Sequence, residues 1–406
     1  MSRNKKSFSI ENNIDKKYFI NNLYLKDKAK IKKNIKNIYS DLDYKKNIFH
    51  ILSKKFVINL NKINLKKYNK YKSVIVIGMG GSTLGANAIY SFLEQKIKKL
   101  FIFLDNLDYR KIEKIKKKLK LKKSLFIIIS KSGNTIETLV NINLLKNEIR
   151  SENTIIITEK KNNLLNTFAK SKKIKLIEHR DYIGGRYSVL SEVGIVPAYF
   201  MGLKINNFRK NLLSYFKLKK NLVLIESVAK LAHIYNLKKI KSIILLNYAP
   251  QLNEFLFWCQ QLIAESLGKK GKGILPVVSS APRDHHSLLQ LYLDGPPDKL
   301  FYIFSVKSKK KMKTSNYIFE KPLEHFKNKE LSKIILSQKN ALIEVFKKKK
   351  IPFREFKFNG TDEETLGELF SYFMLETVLI GTQIGVNPFN QPAVEEVKTI
   401  TKHHLV

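Results

Sequence analysis

Two glycine- and hydroxyl-rich stretches carry the first chemistry. SKSGNTIET, residues 130–138, sets Ser130, Ser132, Thr135 and Thr138 beside Lys131 within nine positions, after an apolar run and before a helical one. A capping box needs one hydroxyl and one acid. Four hydroxyls and a lysine exceed that need, and with the free amides of a helix start they form a cradle for a phosphate monoester. GMGGSTLG, residues 78–85, also follows an apolar run and opens a helix, with Gly81 and Ser82 at the turn. It lacks the Gly-Lys-Ser/Thr of a Walker loop and departs in spacing from the dinucleotide pattern. By itself it reads equally as a structural turn or a ligand loop.

Four further segments hold groups suited to acid–base and electrostatic work. In GGRYSVLSEVG (184–194), Arg186 stands in an almost uncharged setting. It is either a structural ion-pair partner or a permanent cation facing a developing oxyanion. QQLIAESLGKKGKG (260–273) places Gln261 and Glu265 four apart, on one face of a helix that ends at Gly268. A helix C-terminus disfavours a carboxylate, which suits Glu265 to a general base near neutral pH, although a lone surface Glu is the commoner reading. PRDHHSLLQLYLDG (282–295) carries His285 and His286. Neighbouring side chains diverge on a helix and no HExxH spacing is present, so one imidazole as an acid–base group fits better than a metal pair. NPFNQPAVEEVK (387–398) has two prolines that set an entry turn before a helix ending near Lys398; His403 and His404 then read as unstructured surface.

These groups must be positioned by a β/α alternation. SVIVIG (73–78), LFIFLD (100–105), SLFIIIS (124–130), TIIIT (154–158) and IKLIEH (174–179) are short continuous apolar runs, expected of strands buried on both faces. Helical segments separate them, which predicts parallel βαβ units. The pattern restarts with SIILLN (242–247), GILPVVS (273–279), LFYIFSV (300–306) and FREFKF (353–358). The expected organisation is a helical N-terminal arm over 1–45, one α/β sandwich over 46–210, a second over 220–385, and a helical tail over 386–406 carrying Lys398. A chain of 406 residues has enough apolar material for two such lobes.

Composition narrows the function classes. The single cysteine, Cys259, excludes an intrachain disulfide framework and any Cys-rich zinc module. No stretch has the length of a membrane-spanning helix, and the first residues lack the apolar core of a secretory signal, so a cytoplasmic protein is expected. The net charge of +42 raises nucleic-acid binding. Yet the basic residues are mostly dispersed Lys rather than base-reading Arg, and residues 359–397 contain none. The charge reads as a solvated surface that draws in anionic ligands.

Taken together and in this order, GMGGSTLG, SKSGNTIET, GGRYSVLS, QQLIAESLGKKG, DHHSLLQ and NPFNQPAVEEVK resemble the glucose-6-phosphate isomerase family, from about residue 73 to 398. The resemblance implies two sugar isomerase (SIS) α/β domains and interconversion of glucose 6-phosphate and fructose 6-phosphate through a cis-enediolate. It implies no metal and no organic cofactor. Glu265 corresponds to the base, Arg186 to the group stabilising the enediolate, and His286, aligned by Gln290, to the ring-opening histidine. Lys398 corresponds to the lysine that assists ring opening. Gly81, Ser82, Ser130, Lys131, Ser132 and Thr135 fall at the phosphate site, with Gln261 and Gln391 lining it and Glu137 orienting the histidine. The resemblance further implies a homodimer whose sites borrow His286 from the partner. Met79, Asn390 and Ala393 depart from the commoner Ile, Asp and Gly, and none of the three is a proposed catalytic group.

Overall fold

The computed structural model describes residues 8–19, 21–58, 60, 64–118, 121–307, 312–314 and 327–405. Among these described residues, ten strands form two sheets: β1 (Phe8–Asn13), β2 (Ser73–Ile77), β3 (Leu100–Leu104), β4 (Ser124–Ile129), β5 (Thr154–Thr158), β6 (Lys175–Glu178), β7 (Ser242–Asn247), β8 (Leu275–Ser280), β9 (Lys299–Val306) and β10 (Phe353–Phe358). The first sheet has the order β3-β2-β4-β5-β6 and is parallel throughout. All positions of β4 and β5 are buried, which is why both read as unbroken apolar runs. The strand order reverses beside β2, so the loops after β2 and β4 open at adjacent carboxyl ends of the sheet, where parallel sheets hold ligands. Those loops are GMGGSTLG and SKSGNTIET.

The second sheet has the order β1-β10-β9-β7-β8, parallel except at β1. The α/β organisation with parallel sheets is as the alternation predicts, but its edge is not. The N-terminal segment, expected to be helical, opens with β1, which pairs antiparallel with β10 from Phe8↔Phe358 to Asn13↔Phe353. An exposed edge on β10 would invite pairing with another chain, and β1 covers it. The second sheet is therefore completed by residues from the opposite end of the sequence. Helix Asn21–Ser40 follows β1 after a short 3-10 turn.

Helix Glu363–Ile384 explains the stretch without Lys or Arg. It is capped by Asp362, which accepts from the amide of Thr365 at 2.8 Å, and nearly every residue along it is buried. It packs against helices Ile205–Arg209, Leu218–Leu237 and Asn253–Leu267. Phe370 meets Trp258 edge-on at 4.8 Å, and Phe255 lies 5.6–5.7 Å from Phe370 and Phe373. Truncating a buried aromatic of this kind costs about 3–5 kcal/mol. Phe255, Trp258, Cys259 and Leu262 form the inward face of helix Asn253–Leu267, and this rotation leaves Gln261 and Glu265 half-buried on its flank.

A buried ion pair locks β1, β10 and this central helix together. Arg354 is completely buried and donates to both oxygens of Glu376 at 3.1 and 2.7 Å, to the Tyr372 hydroxyl at 2.6 Å and to Asn12 at 2.8 Å. The C-terminal helix, Val394–His404, continues past Lys398, so His403 and His404 close a helix instead of lying in an unstructured tail. From Gln391 to His404, the described side chains are all exposed.

Candidate active site

Backbone contacts between the two glycine turns bring the halves of the site together. A Cβ on Gly81 would lie 2.3 Å from the carbonyl carbon of Gly185 and 2.6 Å from the amide nitrogen of Arg186, so only glycine permits this approach. Gly80 has φ +52°, and a Cβ there would sit 2.8 Å from Nε2 of Gln261. The turn after β2 is thereby seated on the Arg186 loop on one side and on helix Asn253–Leu267 on the other.

Arg186 is the hub, with 2% of its surface exposed. Its Nη1 donates to Oε2 of Glu265 at 3.0 Å and to Oε1 of Gln391 at 2.8 Å. Nη2 donates to the carbonyls of Pro388 and Asn390 at 2.7 and 3.2 Å, and Nε to the Ser266 hydroxyl at 2.8 Å. The ion-pair reading of Arg186 describes these contacts, which also hold its charge at a fixed place in the cluster. Gln261 donates to Oε1 of Glu265 at 3.1 Å, while its own Oε1 is buried with no partner among the described residues. The Glu265 side chain remains one-third exposed, so a ligand can reach it.

Three members of this cluster lie inside the quoted segments but do not stand out there by residue type. Ser266 bridges Arg186 and the Tyr187 hydroxyl, which also donates to the Pro388 carbonyl at 2.9 Å. Lys269 caps the helix by donating to the carbonyls of Glu265 and Ser266 at 2.5 and 2.7 Å. Burial lowers the Lys269 ammonium to about 8; the Arg186 charge pushes the same way and Glu265 opposes it. The one available signal was its spacing, four residues after Glu265.

The hydroxyls of residues 130–138 divide between packed and open positions. Ser130 is buried, and its hydroxyl lies 2.9 Å from that of Thr135 and accepts from the amide of Gly133 at 3.2 Å. Ser132 is exposed and Ser82 half-buried, so both remain open to a ligand. Lys131 is turned away: it donates to the Asp181 carbonyl at 2.7 Å and pairs with Glu159 at 3.5 Å. Thr138 is fully buried, and Glu137 is half-buried in the first turn of helix Ile136–Leu144.

The remaining candidates stand apart from Arg186. His286 is exposed at the end of the 3-10 turn Arg283–His286. The Gln290 amide donates to Asp294 at 3.2 Å, one helical turn onward on its own helix. His285 lies 2.7 Å from the Tyr248 hydroxyl, and burial, aided by His286, depresses its protonation. Lys398 is exposed and pairs with Glu395 at 2.6 Å. A cavity of about 720 Å³ past the ends of β7 and β9 is lined by Tyr248 but not by His285, His286, Gln290 or Lys398.

The family model for phosphoglucose isomerase matches residues 64–273, which span both glycine turns, Arg186 and Glu265. The chain belongs to the phosphoglucose isomerase family. It is 35% identical to the glucose-6-phosphate isomerase of Methanocaldococcus jannaschii over 83% of this chain and 86% of that relative. It is 31% identical to the glucose-6-phosphate isomerase of Campylobacter jejuni over 86% of this chain and 88% of that relative. Among solved structures, a hypothetical protein from Thermus thermophilus superposes with a TM-score of 0.84 at 21% identity, covering 98% of this chain and all of that one. A glucose-6-phosphate isomerase from Chlamydia trachomatis superposes with a TM-score of 0.79 at 16% identity, covering 99% of this chain and 89% of the other. These two likenesses show that the fold is shared across 98–99% of this chain.

Proposed function

We propose that this chain interconverts glucose 6-phosphate and fructose 6-phosphate in the cytoplasm, with Glu265 carrying the proton between C2 and C1. The observation that carries the reading is the Arg186–Glu265 contact at 3.0 Å, held against the two glycine turns. The substrate phosphate sits on Ser130, Ser132, Thr135 and Ser82 with the amide of Gly81, and this remote binding orients the reacting carbons. Glu265 removes the C2 proton, the electron pair forms a cis-enediolate across C1 and C2, and the same carboxyl returns the proton to C1. Arg186 is charged throughout and offsets the charge that develops on the enediolate oxygens. Oε1 of Gln261 is the free acceptor for a sugar hydroxyl.

Ring opening falls to His286 and Lys398. His286 is exposed in its own chain, which fits its donation to the partner's site in a homodimer. Lys398 lies in the second turn of helix Val394–His404, whose described side chains are all exposed. Lys131 completes the phosphate site by leaving its Asp181 carbonyl when an anion arrives, and Glu137 orients the histidine. None of the described helices is long and apolar enough to cross a membrane.

Isomerisation in deuterated water tests the proton transfer. The enediolate route predicts deuterium at C2 of the glucose 6-phosphate formed, in the fraction of turnovers in which the Glu265 carboxyl exchanges with solvent before it returns the proton; full turnover without incorporation that also survives Glu265→Gln overturns it. Mixing the Glu265→Gln and His286→Ala proteins tests the shared site. Mixed dimers regain activity if His286 crosses the interface, and no recovery returns His286 to its own chain.

A further inference from the structure

Away from the active site, the end of helix Asn21–Ser40, residues 41–55 and residues 209–217 enclose a cavity of about 700 Å³. It shares no lining residue with the Arg186 cluster or the hydroxyl cradle. Its charge is one-sided: five cationic side chains line it against the single carboxylate of Asp43. Asp43 is taken by Lys55 at 2.7 Å, and Lys210 pairs with Glu364 at 2.5 Å. Lys54, Arg209 and Lys217 have no carboxylate partner among the described residues.

Arg209 is the informative member. The other described arginines that are not exposed, Arg180, Arg186 and Arg354, each meet a carboxylate. Arg209 is half-buried and instead donates Nη2 to the carbonyls of Ile51 and Ser53 at 3.1 and 2.6 Å. It also shares the Phe56 ring with Arg180; the two guanidinium carbons lie 5.4 and 4.1 Å from the ring centroid. Burial lowers its hold on the proton to about 10, and the Arg180 charge acts in the same sense. A partly buried cation without a counter-ion is costly, and an incoming anion relieves that cost. Beside these cations, Tyr39 and Phe216 pair at 5.2 Å and give the cavity an aromatic wall.

We propose that this cavity binds a small phosphate-bearing anion at a site separate from the sugar-phosphate cradle. Arg209 anchors the anion with the donors it has left, and Lys54 and Lys217 reach it from the rim. Both lysines are exposed, so their removal leaves the core intact.

The test is calorimetric titration of the full chain with inorganic pyrophosphate at physiological salt. The Lys54→Gln/Lys217→Gln protein is compared with a charge-matched control, Lys116→Gln/Lys117→Gln, on the exposed face of helix Tyr109–Lys118. The proposal predicts a binding step that weakens at least about tenfold in the first double variant and is unchanged in the control, with isomerase turnover retained in both. Arg209→Lys, which keeps the charge and loses the fork, weakens the same step. No pyrophosphate binding, or equal weakening in the two double variants, overturns the proposal.

Discussion

Replacing Arg186 with lysine keeps the charge and removes the fork, and the structure sets the consequence. All five guanidinium N–H donors are used, on Ser266, Glu265, Gln391, Pro388 and Asn390. An ammonium offers three donors from a single point, so at least two acceptors lose their partner. Hydrogen bonds to a charged group are worth about 1.5–3 kcal/mol each, which puts the stability loss at about 3–6 kcal/mol. The two carbonyls belong to the loop that precedes Gln391, so that loop loosens first. Catalysis falls as well, because one displaced electrostatic donor costs about 10²–10³ in kcat. Urea unfolding with parallel assays of fructose 6-phosphate turnover reads both effects. An Arg186→Lys protein within about 1 kcal/mol of the native stability, with native turnover, would refute the hub role of Arg186.

Three further outcomes follow from the same geometry. Gly81→Ala forces the turn after β2 off the Arg186 loop; overpacking of this kind costs about 1–3 kcal/mol, and a shift near 1 Å lowers kcat/KM roughly 10²-fold, so unchanged steady-state kinetics would contradict the contact. Lys269, lowered to about 8 by burial and by Arg186, loses its charge as pH rises through that value. This removes a cation beside Glu265 and the anionic substrate, so kcat/KM declines above pH 8; Lys269→Arg stays charged and moves the decline to higher pH, and an unmoved pH–rate profile removes Lys269 from the account. Glu376→Gln leaves fully buried Arg354 without its counter-ion and costs about 3–5 kcal/mol in denaturant melts; a loss below about 1 kcal/mol would show that the pair does not secure β1 and β10.

Much of the fold is legible because buried parallel strands leave an unmistakable trace. VIVI and FIII have no polar face to show, and the glycines after β2 mark where a backbone must come close. The strand FSIENN carries no such trace. It is a short, half-polar edge strand among Lys and Asn, and its partner β10 lies some 340 residues away. Its formation depends on an open edge that no local pattern reveals. The site divides in the same way. Gln261 and Glu265 are set by helical spacing, and Arg186 stands out as a lone charge in an apolar stretch. Ser266 and Tyr187 matter because the Pro388 carbonyl arrives from elsewhere in the chain, and tertiary contacts of that kind have no local sequence pattern. Gln290 marks another limit: its amide donates to Asp294 one helical turn onward, and a role toward His286 is implied by the family resemblance alone.

The most direct measurement is conversion of fructose 6-phosphate to glucose 6-phosphate by the purified protein in a metal-chelating buffer, with Glu265→Gln beside it. Glutamine keeps the shape of the side chain and can still accept from Gln261, but it cannot carry the proton. The account predicts robust turnover in the native protein and a loss of at least about 10² in the variant, within the range set by general-base catalysis. Turnover that survives in Glu265→Gln would contradict the central assignment.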